Sequence, residues 1–146
     1  MKNRDYHSSI TAHITPKEAF DKIARVSEWW TSIVEGKARH LNDVFTVRLG
    51  GTFETFKVVE IVPNKRIVWE VVDSYHGWLE NTREWIGTKI VWEISPQKDT
   101  TQIDITHVGL TPHLECYTDC KRGWDGYIKK SLFTFLTEGK GKPDEF

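Results

Sequence analysis

QIDITHVGLTPHLECYTDCKRGWDGYIKKSLFTFL, residues 102–136, changes its hydrophobic period once. In the first part apolar and polar side chains alternate, which places Ile103, Ile105 and His107 on one face of a strand. From about residue 112 the apolar side chains recur every three or four positions, which is the period of a helix. The helical positions are Tyr117, Cys120, Lys121, Trp124, Ile128, Leu132 and Phe135. The segment therefore predicts a strand followed by a long C-terminal helix over residues 112–136.

Upstream of this segment the sequence predicts five more strands and two short helices. Alternation over residues 5–14 indicates the first strand, and Thr15-Pro16-Lys17-Glu18 has the cap hydroxyl, proline and acid that begin a helix. A second helical turn is predicted at residues 27–30. The other upstream strands are predicted at residues 44–49, 52–62, 66–73 and 88–94. Short connections favour an antiparallel meander, and only the last helix is long enough to cover its apolar face. We therefore predict an α+β fold in which a curved six-stranded antiparallel sheet wraps around the C-terminal helix.

Two details of the strands bear on a site. Apolar residues occupy both parities around Lys57, which predicts a β-bulge there. The strand carboxylates mostly occupy polar positions, and we expect them to form a solvated face. They are Glu54, Glu60, Glu70, Glu93 and Asp104.

The composition is typical of a soluble globular protein. The chain has 146 residues, of which 38% are hydrophobic and 28% charged, so we expect a single domain over residues 1–146. The net charge is -1 and like charges form no block, which argues against nucleic acid as a partner. No apolar run is long enough to span a bilayer, and residues 1–10 lack the apolar core of a secretory signal. We expect no membrane insertion, a cytoplasmic location, reduced cysteines and a flexible tail over residues 139–146.

Six short motifs together resemble the START-like (SRPBCC) superfamily, and within it the branch homologous to the activator of heat-shock-protein ATPase. They are residues 15–20 (TPKEAF), 28–30 (EWW), 50–51 (GG), 59–67 (VEIVPNKRI), 105–110 (ITHVGL) and 123–124 (GW). The resemblance covers nearly the whole chain and implies the helix-grip fold, with two short helices after the first strand. Members of this superfamily bind lipids, hormones or polyketides, and some are cyclases or co-chaperone domains, so the fold does not select one function.

In such a fold, inward strand residues and the concave face of the last helix would line a pocket. The predicted ligand-binding residues are Trp69, Val71, Ile90, Trp92, Ile105, His107, Tyr117, Cys120, Trp124 and Ile128. Seven tryptophans supply more flat surface than a core of this size needs, which favours aromatic contact with a ligand. A solid core produces the same alternation, so the sequence does not separate a filled interior from a hollow one.

Two groups of residues could carry chemistry. His107 lies among apolar positions, where it could orient a ligand, act as an acid or base, or serve as a hydrogen-bonded core histidine. His113, Cys116 and Cys120 would share one stripe of a continuous helix. The Cys-x-x-Cys knuckle of zinc sites is absent, so no metal and no cofactor are predicted. Hydrolase, phosphate-binding and dinucleotide motifs are also missing.

The sequence favours a protein that holds an apolar, lipid-like or aromatic small molecule, and favours it over an enzyme. Two alternatives stay open. One is an interaction domain similar to the co-chaperone, which would act on a chaperone partner. The other is a cyclase or aromatase of the polyketide type that uses His107 and Tyr117 for proton transfer. A homodimer is compatible with each of these functions.

Overall fold

The computed structural model of the protein describes residues 4–144, which form an antiparallel sheet packed against helices. The strands are β1 (Tyr6–Ala12), β2 (Val34–Gly36), β3 (Val44–Leu49), β4 (Thr52–Val62), β5 (Arg66–Tyr75), β6 (Lys89–Pro96) and β7 (Thr101–Val108). The helices are α1 (Pro16–Ile23), α2 (Val26–Trp29), α3 (Tyr117–Gly126) and α4 (Phe133–Glu138), with a π-helical segment (Tyr127–Leu132) between the last two. Neighbouring strands follow the order β1-β7-β6-β5-β4-β3-β2, and all pairs are antiparallel. Within these residues, no helix is long and apolar enough to cross a membrane.

The sheet has seven strands in the part of the chain that the structure describes, and the prediction of six was wrong. The additional strand, β2, pairs with β3 at the edge of the sheet. It contains three residues and ends at Gly36, whose φ is 86°. So short a strand has no alternation that a periodicity argument could detect.

Helix α1 begins where its capping residues predict. The Thr15 side chain accepts a hydrogen bond from the backbone N–H of Glu18 at 3.1 Å, and the Glu18 carboxylate accepts one from the backbone N–H of Thr15 at 3.4 Å. This reciprocal capping box satisfies backbone donors that have no partner within the helix. The helix then buries Ala19 and Ile23 against the core.

The C-terminal helix is present but starts later than predicted and is not α-helical throughout. Turns occupy most of residues 111–116, and α3 begins at Tyr117. The π-helical segment follows, and α4 ends at Glu138, where the next residue, Gly139, terminates the helix with a φ of 80°. The combined helix buries Trp124, Ile128 and Leu132 on one face.

Aromatic side chains fill the space between the middle of the sheet and the helices. The ring of Trp69 lies 4.9 Å from that of Phe45 and 5.4 Å from that of Trp92, measured between centroids. Trp92 and Trp29 pack edge to face, with their ring centroids 5.7 Å apart. All four side chains are fully buried. The centre of the helix-grip interior is therefore packed.

Residues 139–144 fold back onto the end of α2. The backbone N–H of Asp144 donates to the carbonyl of Trp30 at 2.9 Å, and the N–H of Ser32 donates to the carbonyl of Asp144 at 2.8 Å. The N–H of Lys142 donates to Ser131 Oγ at 2.8 Å. This part of the tail is held because backbone groups beyond α2 need partners. Glu145 and Phe146 lie outside the described residues.

Candidate ligand-binding site

A cavity of about 230 Å³ lies where the β3–β4 hairpin, the loop after β5 and helix α3 meet. Its lining residues are Trp30, Leu49, Thr52, Glu54, His76, Trp78, Trp85, Asp119, Cys120, Gly123, Trp124 and Tyr127. Most of these side chains are apolar or aromatic, and a small number carry polar atoms. This is the composition that small-molecule sites share.

A second depression, of about 720 Å³, lies between α1 and the segment before β3. Its lining residues are Phe20, Asp21, Ala24, Arg39, His40, Leu41, Ile61 and Pro63. All of these residues are exposed or half-exposed. It is a surface groove without a buried polar group, and the smaller cavity is the better candidate.

Tryptophan rings form the walls of the cavity. Trp124 lies between Trp30 and Trp85, with centroid distances of 4.9 and 6.2 Å, and is nearly parallel to Trp85. Trp78 stacks on His76 at 5.6 Å and is 53% exposed, so it lies between the cavity and solvent. Such walls favour a flat apolar ligand, because stacking adds to the burial of its surface.

A buried pair of ionisable side chains, Glu54 and His76, contributes polar atoms to the lining. Glu54 Oε2 lies 2.9 Å from His76 Nε2, and Glu54 Oε1 accepts a hydrogen bond from Ser74 Oγ at 2.5 Å. Both ionisable side chains are at most 3% exposed to solvent. Burial raises the pKa of Glu54, while the hydrogen bonds from His76 and Ser74 oppose this shift. His76 Nδ1 is buried without a hydrogen-bond partner in the structure.

The expectation that Glu54 belongs to a solvated face was wrong, and the predicted bulge explains why. The β4–β5 register shifts between Thr55 and Phe56 and again between Val58 and Glu60, which confirms the bulge near Lys57. Before the second shift, Glu54 shares the buried face with Phe56 and Val58. That shared parity is the signal that could have identified Glu54 as an inward carboxylate.

The two cysteines lie beside this pair. Trp85 Nε1 donates a hydrogen bond to Cys116 Sγ at 3.2 Å, and Cys116 is fully buried. Cys120 is half-buried and lines the cavity. A hydrogen bond with Cys116, followed by burial, raises the pKa of the Cys120 thiol. Both cysteines are free thiols, as the sequence predicts.

His107 is a fully buried residue whose two ring nitrogens are both occupied by the protein. Trp124 Nε1 donates to Nδ1 at 3.0 Å, and Nε2 lies 2.8 Å from Thr88 Oγ1. The Thr88 hydroxyl donates its own proton to the carbonyl of Trp85 at 2.7 Å, so Nε2 carries the ring proton and donates to Thr88. With no nitrogen free for a substrate, His107 fits the core-histidine alternative, and this counts against its use as an acid or base.

The structure divides the predicted ligand-binding residues between the cavity and the core. Cys120 and Trp124 line the cavity, and Tyr117 is half-buried against the core. The fully buried core residues are Trp69, Val71, Ile90, Trp92, Ile105, His107 and Ile128. The main residues that the sequence argument missed, His76, Trp78 and Trp85, come from the loop after β5. That loop has no periodicity, and its only signal is an unusual density of aromatic side chains for a connection.

The sequence matches a protein family that agrees with this geometry. Residues 18–136, from α1 to α4, match the family model described as Activator of Hsp90 ATPase homolog 1-like protein. The chain belongs to this family. The resemblance inferred from six short motifs is thereby confirmed. A comparison with curated proteins finds no significant match.

Solved structures share the fold of this family member. The Aha1 dimer from Colwellia psychrerythraea is 22% identical over 97% of this chain and 100% of its own, with a TM-score of 0.76. DynU16, a putative protein in the dynemicin biosynthetic locus, is 15% identical over 99% of this chain and 52% of its own, with a TM-score of 0.72. CalU16 from Micromonospora echinospora is 16% identical over 96% of this chain and 78% of its own, with a TM-score of 0.69. At these identities the likeness shows the START-like fold alone.

Proposed function

We propose that this protein binds a compact aromatic or cyclic molecule in the cavity beneath Trp78. One observation carries the proposal: the aromatic walls of the cavity enclose a buried polar pair, Glu54 and His76. Apolar walls supply the affinity of small-molecule sites, and a few fixed polar groups supply orientation.

The volume of the cavity narrows the ligand class. Its size of about 230 Å³ lies below the roughly 300–1,000 Å³ of pockets for drug-sized ligands. An apolar cavity of roughly 150 Å³ already accepts benzene. A ligand of one or two rings therefore matches this volume, whereas a long acyl chain would extend beyond it.

The polar side of the cavity indicates what the ligand carries. Each oxygen of the Glu54 carboxylate accepts one hydrogen bond, from Ser74 or His76, and a carboxylate oxygen can accept more than one. We expect the ligand to present a hydroxyl or N–H group to this carboxylate. Phenols and indoles combine such a donor with a flat apolar body.

Helix α3 provides a matched pair of variants to test the proposal. Gly123 lines the cavity, and a Cβ there would meet only the Tyr127 ring at 3.8 Å, an ordinary contact. A Cβ at Gly126 would have nothing within 4 Å, and Gly126 does not line the cavity. Gly123→Leu should fill the cavity while the helix tolerates it, and Gly126→Leu controls for the change in helix composition.

The experiment is a calorimetric titration with phenol, indole and 2-naphthol, preceded by native mass spectrometry of freshly purified protein. We expect a small molecule to co-purify or at least one probe to bind, with affinity reduced by more than about tenfold in Gly123→Leu. Gly126→Leu should bind like the parent protein. If nothing co-purifies and no probe shows binding that depends on Gly123, the proposal is wrong.

Family membership favours a second candidate function, as a domain that binds a heat-shock ATPase. The described surface has strongly exposed apolar side chains that a partner could cover, namely Leu41, Val44 and Trp78. The test is the ATPase rate of purified Hsp90 with and without this protein. An unchanged rate over a range of concentrations would contradict this candidate. Native mass spectrometry also reports whether the protein forms a homodimer, as the similar protein from Colwellia psychrerythraea does.

A further inference from the structure

We propose that His76, Cys116 and Cys120 form a zinc-binding site beside the ligand cavity. One nitrogen of His76 and the two sulfur atoms lie within 4.8 Å of one another. His76 and Cys116 are buried, and Cys120 is half-buried. The set differs from the helical stripe in the sequence, because His76 from the loop after β5 takes the place of His113.

The two cysteines are placed on one side of a helical turn. The backbone N–H of Cys120 donates to the carbonyl of Cys116 at 2.8 Å, which closes the first turn at the start of α3. Side chains four residues apart on such a turn point the same way, and two ligands at this spacing bind one zinc ion in helical metal motifs. The third ligand then comes from a different element, as in most zinc sites.

The second observation is the state of the His76 ring. Nε2 lies 2.9 Å from Glu54 Oε2, and Nδ1 is buried without a partner. Metal-binding histidines use one nitrogen for the metal and donate the other N–H to a carboxylate, which fixes the ring orientation. Glu54 supplies that carboxylate, and Nδ1 is the nitrogen left for a metal ion.

The sulfur side of the site has an outer hydrogen bond as well. Trp85 Nε1 donates to Cys116 Sγ at 3.2 Å. Such donors stabilise the negative charge of a metal-bound thiolate. The carboxylate has the corresponding role for the imidazole, since it accepts the other ring N–H and orients the ring. Both ligand-supporting groups are therefore already in place around the three side chains.

The donor set selects zinc among the common divalent ions. Two thiolates and one imidazole suit Zn²⁺, whereas Mg²⁺ and Ca²⁺ prefer oxygen ligands. Tetrahedral zinc would place the three donor atoms roughly 3.5–3.8 Å apart, so the side chains must approach by at most about 1 Å. On binding, each thiol forms a Zn–S bond and releases its proton to solvent, which gives two protons per ion. His76 and Cys120 line the cavity, so the fourth position opens towards water or a bound ligand.

The test is a titration of reduced, metal-free protein with Co²⁺, followed by displacement with Zn²⁺. We expect one ion per chain, thiolate-to-cobalt charge-transfer bands and the visible bands of tetrahedral cobalt, all of which Zn²⁺ removes. Glu54→Gln should weaken metal affinity by about 10–100-fold. Cys116→Ser and Cys120→Ser should each weaken it further than that. His113→Gln, at an exposed position, is the matched control and should bind like the parent protein.

Three outcomes of the cobalt titration would contradict the metal site. The proposal is wrong if charge-transfer bands are absent, if they persist in both serine variants, or if His113→Gln abolishes them. Circular dichroism confirms that each variant is folded. Cys116 does not line the cavity, so Cys116→Ser should lose metal and keep aromatic-probe binding. The experiments can therefore contradict the metal-site proposal and the ligand-site proposal independently of each other.

Discussion

At the level of single residues, His107 shows how burial sets a protonation state. Both ring nitrogens are hydrogen-bonded, one to Trp124 and one to Thr88. The Trp85 ring packs perpendicular to the imidazole, with the ring centroids 4.5 Å apart. Burial, followed by the nearby His76, lowers the pKa of His107 to about 3. A proton on Nδ1 would also remove the acceptor that Trp124 uses. The imidazole therefore stays neutral in the folded protein throughout the ordinary pH range.

This neutral imidazole predicts a pH dependence of stability. The unfolded chain binds a proton at His107 near the ordinary pKa of 6.5, while the folded chain binds it only near pH 3. Between these values the unfolded state holds more protons, so the free energy of unfolding falls as the pH falls. The contribution amounts to about 2 kcal/mol between pH 6.5 and pH 4.5. Urea unfolding at several pH values measures it.

A pair of histidine variants isolates this contribution. His107→Gln removes the titrating group, so the fall in stability between pH 6.5 and pH 4.5 should be smaller by about 2 kcal/mol, although the variant is less stable than the parent protein near neutral pH. The exposed variant His113→Gln should show the same change in the free energy of unfolding with pH as the parent protein. If the free energy of unfolding of His107→Gln changes with pH as steeply as that of the parent protein, His107 is not held neutral in the folded state.

Residue identities in the site were only partly predictable from the sequence. Alternation located inward positions such as Trp69 and Ile105 correctly as buried, because strand parity is a local property. It missed Glu54, since a lone carboxylate among apolar neighbours suggests solvent unless its partners are known. Those partners, Ser74 and His76, are brought to Glu54 by the pairing of β4 with β5 and by the loop beyond it.

At the level of elements, the C-terminal tail depends on one glycine. A Cβ at Gly141 would lie 2.4 Å from the carbonyl oxygen of Glu28 and 3.1 Å from Trp29 Cα. Both neighbours are backbone atoms that cannot move aside cheaply. The close approach lets Lys142 and Asp144 form their hydrogen bonds with Ser131 and Trp30.

We predict that Gly141→Ala releases this tail. Loss of its three backbone hydrogen bonds should lower the free energy of unfolding by about 1.5–4.5 kcal/mol, at about 0.5–1.5 kcal/mol per bond. Limited trypsin digestion should cleave after Lys140 faster than in the parent protein; the bond after Lys142 precedes Pro143 and resists trypsin. Gly126→Ala makes the same chemical change where no atom lies within 4 Å, and should instead stabilise the helix by about 0.5–1 kcal/mol. Slow, unchanged cleavage in Gly141→Ala would contradict the prediction.

Elements with strong periodicity were predictable, and short or irregular ones were not. The strands of the central sheet and the capped start of α1 follow from local patterns that packing reinforces. The strand β2 pairs through three residues, and the docked tail uses backbone groups of α2; neither leaves a side-chain pattern. The π-helical segment after α3 is likewise invisible to an argument that assumes one helical period.

At the level of the whole molecule, the interior has two regions with different packing. The middle of the sheet is filled by a cluster that includes Trp29, Trp69 and Trp92. The open space lies at one end, where the loop after β5 and helix α3 complete the enclosure. Hydrophobic alternation is the same in both regions. The sequence could therefore predict the fold and an aromatic interior, but not which end of that interior is hollow.

This division predicts where ligand binding changes hydrogen exchange. Saturation with an aromatic probe that binds, such as 2-naphthol, should slow amide exchange in residues 76–87 and 117–127, because closing the cavity suppresses local opening of its walls. Exchange in β6 and β7 should stay the same, since these strands border the filled region. Hydrogen exchange with mass spectrometry measures both sets of peptides. Gly123→Leu at the same probe concentration should show less protection. Protection centred on Trp92 and Ile105 would instead place the ligand in the middle of the sheet, where the alternation in the sequence predicts it.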